Sequence, residues 1–157
     1  METRIKYVKG DATEPQGDGK KIITHICNDI GAWGQGFVMA LSRKWREPET
    51  EYREWHRSRD GFELGKVQFV EVEPDIIVAN IIGQHGIIAK DSVPPIRYKA
   101  LEKGLKKVAE KAGAIDAEIH MPRIGSGLAG GKWKEIEKII YRTLTKEDIP
   151  VTVYDLS

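Results

Sequence analysis

The sequence predicts an α/β fold in three layers, α/β/α, built on a central mixed sheet. Three observations predict it. Apolar runs of strand type alternate with runs of helical spacing along the chain. Two strand-to-helix junctions are glycine-rich, Asn28-Asp-Ile-Gly-Ala-Trp-Gly-Gln-Gly36 and Pro122-Arg-Ile-Gly-Ser-Gly-Leu-Ala-Gly-Gly-Lys-Trp133. One connection, Glu73-Pro-Asp75, is so short that the strands it joins must pair antiparallel, which makes the sheet mixed.

The elements follow in order. Ile5 to Val8 reads as a first strand, and Lys21 to Cys27 as a second, near-continuously apolar as a strand buried on both faces must be. Val38, Leu41 and Trp45 recur at three- and four-residue spacing, the stripe of a helix lying on a sheet. Pro48 ends that helix or opens the next, a short charged surface helix over Glu49 to Ser58 with Tyr52 and Trp55 on one side. Lys66 to Val72 and Ile76 to Ile82 form the antiparallel pair, and Gly83-Gln-His-Gly86 begins a longer loop ending at Pro94-Pro95. Tyr98, Leu101, Leu105 and Val108 mark a helix expected to close near Gly113. Ile119 to Met121 feeds the second glycine loop, Trp133, Ile136, Ile140 and Leu144 mark the last helix, and Val151 to Leu156 is a terminal strand.

Composition excludes several classes. A length of 157 residues is that of one domain, expected to span 1–157, and 40% hydrophobic against 31% charged residues is a soluble globular balance. With 25 basic against 24 acidic side chains, the net charge of +1 marks the chain for neither nucleic acid nor membrane. The single Cys27 excludes an internal disulfide and a cysteine-based zinc site, so no metal and no cofactor are expected. No signal-peptide stretch follows Met1, and no run approaches bilayer length. A reducing, cytoplasmic setting without membrane partners is the expectation.

The glycine loops carry the chemistry. Glycine lets main-chain N–H groups approach an anion closely, and the helix N-terminus behind them adds positive partial charge. Two such loops in one chain point to a diphosphate ligand. Each loop by itself also reads as a tight turn between sheet and helix. In open sheets the ligand crevice lies beyond the carboxyl ends of the strands, where Asp11, the Asn28 loop, the Gln84-His85 loop and the Gly125 loop would converge.

Tyr7-Val-Lys-Gly-Asp11-Ala-Thr, His25-Ile-Cys-Asn28 with its loop, and Met121-Pro-Arg-Ile-Gly-Ser-Gly-Leu128 with Trp133 after it together resemble the macrodomain family. The resemblance runs from Tyr7 to Tyr154 and points to the branch of small ADP-ribose-1''-phosphate phosphatases and relatives that remove ADP-ribose from glutamate side chains or DNA. It implies that Asp11, with Ala12 beside it, receives the adenine amino group and that Asn28 lies near the distal ribose. It implies that Gly34, Gly36 and Phe37 form one phosphate loop and that Gly125, Ser126, Gly127, Leu128 and Ala129 form the other. Tyr154 falls on the adenine side. Read from the residues alone, Asp11 is equally a turn or capping aspartate, Asn28 an Asx-turn residue and Tyr154 a sheet tyrosine.

Trp133 and Trp45 read as core, whereas Trp33, inside a glycine loop, reads as a wall of the cleft. His25 and His120 read as hydrogen-bonded sheet histidines and His56 as solvated. Hydrolases of this branch use a lysine after the central strand, and some an acid beyond the second glycine loop. Here the strand leads into Ile82-Gly-Gln-His85 with no lysine before Lys90, and Ala129 follows Leu128. The candidates for acid–base work are then His85 and Asp29, with Asn28 orienting the distal ribose or a water. The expected function is binding of ADP-ribose or ADP-ribose-1''-phosphate with hydrolysis of the terminal-ribose substituent. The alternatives are a non-catalytic reader of ADP-ribose, or a hydrolase acting on ADP-ribosylated protein or DNA.

Overall fold

The computed structural model describes residues 4–156. Six strands, β1 (Ile5–Lys9), β2 (Lys20–Asn28), β3 (Val67–Glu73), β4 (Ile76–Gln84), β5 (Ala117–Met121) and β6 (Val151–Asp155), form one sheet in the order β1-β6-β5-β2-β4-β3. Every neighbouring pair is parallel except β3 with β4, so the mixed sheet read from the Pro74 connection is the sheet observed.

Four helices cover it: α1 (Phe37–Lys44), α2 (Glu47–Ser58), α3 (Tyr98–Ile115) and α4 (Trp133–Thr143). Because side chains alternate across a strand, Ile22 and Ile23 of β2 enter different cores. Ile22 joins Ile81, Leu101, Leu105, Ile136 and Ile140 beneath α3 and α4, while Ile23 joins Val78, Leu41 and Tyr52 beneath α1 and α2. That is why β2 is apolar almost throughout. Gly104 lets α3 lie close to the sheet, since a Cβ there would meet Ile81 Cγ2 at 2.5 Å.

Three local expectations are corrected. α3 does not close at Gly113 but runs to Ile115, where Asp116 takes the left-handed conformation (φ 57°) and caps it. Trp45 is not part of the α1 stripe; it is the extended residue just past the helix, and its Nε1 donates to Glu73. Leu144 lies beyond α4, buried in the turn before the short 3₁₀ segment Thr145–Glu147. Pro48 opens α2 rather than ending α1, as a proline in a first turn can. No helix of the described residues is long and apolar enough to cross a membrane.

β1, β2, β4, β5 and β6 run in the same direction, so their carboxyl ends share one edge of the sheet. The segments that follow them, starting at Gly10, Asp29, His85 and Pro122, therefore gather at that edge.

Candidate functional site

Two adjoining cavities occupy this edge. One of about 190 Å³ lies between the start of α1 and the second glycine loop, lined by His25, Gly36, Phe37, Arg123, Gly125 and Gly127 among others. The other, of about 690 Å³, is lined by Cys27, Asn28, Trp33, Gly34, Arg53, Ile87 and Ile88. Ile26, Gln35, Val38, Gln84 and Leu128 line both, which makes them one cleft.

The first glycine loop is held by side chains. Asn28 Oδ1 accepts from the N–H groups of Ile30 (3.1 Å) and Ala32 (3.0 Å), and its Nδ2 donates to the Ala32 carbonyl (2.8 Å). The buried Tyr52 hydroxyl lies within hydrogen-bond distance of both Asn28 O (2.5 Å) and Asn28 Oδ1 (2.9 Å), and burial raises its pKa far above the ordinary phenol value. Asn28 thus does the work of an Asx-turn residue while also lining the larger cavity. Trp33 is both core and wall: buried on Tyr52, it donates from Nε1 to Ser42 at 2.8 Å and lines the same cavity. Gly36 (φ 83°) turns the chain into α1, which has no side-chain cap and no acidic residue in its first turn. No side chain therefore engages its first N–H groups, the arrangement that favours an anion.

The second loop is held by main chain and packing. Gly131 N donates to Gly125 O (2.7 Å), Gly130 N to Gly127 O (3.0 Å) and Ile96 N to Ala129 O (3.0 Å). Gly125 has φ 73°, and a Cβ there would meet Ile96 Cδ1 at 2.6 Å. Gly127 is different, with nothing within 4 Å of a Cβ, and it faces the smaller cavity beside the exposed Leu128. Ser126 Oγ donates to Arg123 O at 2.8 Å.

His85 and Asp29, separated by 56 positions in the chain, meet. Asp29 Oδ2 pairs with His85 Nδ1 at 2.7 Å and Asp29 Oδ1 accepts from Gly86 N at 2.8 Å, which ties the loop after β2 to the loop after β4. The His85 side chain is 53% exposed and that of Asp29 17%. The adenine-side candidates lie elsewhere. Asp11 Oδ1 accepts from Thr13 N (2.8 Å) and Thr13 Oγ1 (2.7 Å), an Asx turn, and Ala12 is buried. Tyr154 is buried, its hydroxyl accepting from Gln16 N (2.8 Å) and bound to His120 Nδ1 (2.8 Å). Asp11, Ala12, Ser126 and Tyr154 line neither cavity of the cleft, and neither do Asp29 and His85, which lie just past the lining residues Asn28 and Gln84.

His25 and His120 are buried sheet histidines, each held to a pKa of about 4 by burial first, with the charges of Lys21 and Lys6 adding to the effect at His120. Asn80 Nδ2 donates to Pro48 O and Gln68 Oε1, so its Oδ1 faces His25 and fixes Nε2 as the protonated ring nitrogen. His56 is not simply solvated, because its ring packs edge-on against Phe62. Trp133, read as core, is half-buried and stacks with Arg123, whose guanidinium lies 5.2 Å from the Trp133 ring centre and 5.1 Å from that of Tyr7. Arg123 also forms a two-point pair with Asp155.

The sequence reading missed Arg53 and Arg123 as cleft residues. Arg53 sits on a helix whose composition is that of a solvated face, and no motif marks it. Among the described residues no group of three or more His, Cys, Asp or Glu side chains could hold a metal ion.

Comparison with known proteins fits this geometry. No family model matches the chain. A solved protein of unknown function from Bacteroides thetaiotaomicron is 58% identical, superposes with a TM-score of 0.97 and covers 98% of this chain, which covers 99% of it. A macrodomain protein from Streptomyces coelicolor is 52% identical, with a TM-score of 0.88, over 98% of this chain and 100% of that one. The chain belongs to the macrodomain family. Among curated relatives of this macrodomain, the mouse chromodomain-helicase-DNA-binding protein 1-like is 32% identical over 97% of the chain. The macrodomain spans only 18% of that relative's length. The ADP-ribose 1''-phosphate phosphatase of Candida albicans is 29% identical over 87% of the macrodomain and 91% of its own length.

Proposed function

We propose that this macrodomain binds ADP-ribose-1''-phosphate and hydrolyses its terminal phosphate, acting as a single domain in a cytoplasmic setting. The observation that carries the reading is the pair of glycine loops facing each other across one cleft, with an uncapped helix N-terminus behind the first. Gly34, Gly36 and Phe37 on one side and Gly125, Gly127, Leu128 and Ala129 on the other offer main-chain donors to a diphosphate. The similarity to phosphatases along nearly their whole length supports the same reading. Ser126 belongs with the second of these loops, while Asp11, Ala12 and Tyr154 serve the adenine end from outside the two cavities, with the second oxygen of Asp11 taking the exocyclic amine.

Hydrolysis requires a water oxygen to bond to phosphorus while the bond from phosphorus to the ribose 1''-oxygen breaks. A proton must leave the water, and one must reach the departing oxygen. His85 moves that proton through Nε2, because Nδ1 is engaged by Asp29, which orients the ring. Asn28 holds the loop that carries Asp29, and through it the ribose. ADP-ribosylated macromolecules are further candidate ligands of the same cleft.

ADP-ribose at about a hundredfold its dissociation constant should stabilise the fold by about 2.7 kcal/mol in a melting assay. Phosphate release from ADP-ribose-1''-phosphate should fall about a hundredfold or more in His85→Ala, with ADP-ribose affinity little changed. An unaltered melting curve would remove the ligand reading. Binding without turnover by the wild type on phosphate, protein-linked or DNA-linked substrates would make the domain a reader instead.

A further inference from the structure

The larger cavity is walled mainly by apolar side chains, Trp33, Val38, Ile87, Ile88 and Leu128. Arg53 is the cationic side chain on that wall, and its place there is built rather than incidental. Nε donates to Glu49 Oε2 (2.9 Å), Nη1 to Gly31 O (3.2 Å) and Nη2 to Trp33 O (3.3 Å), so three bonds to two elements fix the plane of the guanidinium. A guanidinium carries five N–H donors, and one on each terminal nitrogen is left over. The Arg53 side chain is 41% exposed. Glu49 offsets part of the charge, but it does not line the cavity, and its other oxygen accepts from Ser42. The Asp29 carboxylate at the start of the same loop is engaged by His85 and Gly86 N, so it does not compete for Arg53.

We infer that Arg53 is a specificity-determining residue of the cleft, presenting a pre-oriented guanidinium to the terminal phosphate of ADP-ribose-1''-phosphate. The inference rests on the proposed ligand reading and deepens it. Unlike ADP-ribose, whose terminal group is a neutral hydroxyl, the 1''-phosphate is a dianion or monoanion with acceptors on several sides. A planar fork with two remaining donors matches that group and not the hydroxyl. Arg53 therefore favours substrate over product. Loss of the phosphate removes what it holds, which assists release of ADP-ribose.

The test measures the dissociation constants of ADP-ribose and ADP-ribose-1''-phosphate in a His85→Ala background, where turnover is slowed, with Arg53 intact, as Arg53→Gln and as Arg53→Lys. With Arg53 intact the phosphate-bearing ligand should bind about ten- to a hundredfold more tightly, the span of one or two charge-assisted hydrogen bonds. In Arg53→Gln the ratio of the two affinities should collapse toward one, over and above any common loss caused by freeing the Gly31 and Trp33 carbonyls, and Arg53→Lys should recover part of the ratio through charge without the fork. A preference that persists in Arg53→Gln overturns the inference. So does an equal loss of affinity for both ligands, which would mean that Arg53 only holds the Gly31 and Trp33 carbonyls. Failure of the parent protein to bind ADP-ribose would instead refute the ligand reading, whereas ADP-ribose binding without discrimination refutes Arg53 alone.

Discussion

The two glycine loops border one cleft and are held by opposite means. In the first, polar side chains from outside the glycines do the holding: Asn28 bonds the turn on both sides, Tyr52 supports Asn28 from the core, and Arg53 takes two loop carbonyls. In the second, glycines bond to one another and to neighbouring main chain, and Ile96, Ile26 and Ile136 fill the space that side chains would need. A loop held by side chains keeps its backbone conformation through groups that can be deleted one at a time. A loop held by close packing fails when atoms are added. Both loops line the cleft, where free main-chain N–H groups would be what an anion requires.

The contrast is broken most severely at Gly131. A Cβ there would lie 2.5 Å from Gly125 O and 2.7 Å from Ile96 Cδ1, so Gly131→Ala must displace the main chain and the Gly131–Gly125 hydrogen bond with it. The expected cost is about 2–4 kcal/mol in denaturant unfolding, combining overpacking with a lost bond. A loss below about half a kcal/mol would show that the second loop yields as readily as an open turn.

In the first loop the corresponding damage comes from removing atoms. Asn28→Ala leaves the N–H groups of Ile30 and Ala32 without their common acceptor, while the Tyr52 hydroxyl keeps the Asn28 carbonyl, a loss of about 1–3 kcal/mol. Amide exchange should quicken at Ile30 and Ala32 and stay unchanged at Gly131. Faster exchange in both loops would mean that they form one mechanical unit.

The smallest effect sharpens the comparison. Gly127 meets nothing within 4 Å, so Gly127→Ala should shift stability by no more than about half a kcal/mol, the range of ordinary surface changes. A carboxylate at the same position, Gly127→Glu, should abolish ADP-ribose binding in calorimetric titration with the fold retained. Retained affinity would place the diphosphate elsewhere.

The elements were legible in the sequence because each declares itself locally. The apolar run from Lys21 to Cys27 needs two buried faces, the stripes at Leu101, Leu105, Val108 and at Ile136, Ile140 have helical period, and Glu73-Pro-Asp75 allows no crossover. Helix ends were less legible. A glycine at 113 is tolerated inside α3, and Asp116 could take the left-handed cap that glycine usually takes. Trp45 sits at the right spacing for the α1 stripe, but α1 had already ended.

The site divides along the same line. Glycines 34, 36, 125 and 127 could be placed at the cleft by sequence, since two glycine clusters in one chain, each between strand and helix, point to an anion where one alone would read equally as a tight turn. The meeting of Asp29 with His85 could be anticipated only as the convergence of two loops, and the hydrogen bond between them is a product of the parallel pairing of β2 with β4. Arg53 was invisible. On α2 it is one of many charges, and only the packing of that helix under the first loop turns its guanidinium into the larger cavity.

By itself, then, the sequence determined the layers, the mixed sheet and the two loops, because periodicity and turn chemistry act over a few residues and need no knowledge of the rest. Tertiary structure alone decided which charges share the cleft, that Tyr154 and Asp11 spend hydrogen-bonding capacity on Gln16, His120 and Thr13, and that one loop is held by side chains and the other by packing. Those outcomes depend on distances between residues far apart in the chain, which strand order and helix docking set and local spacing does not encode.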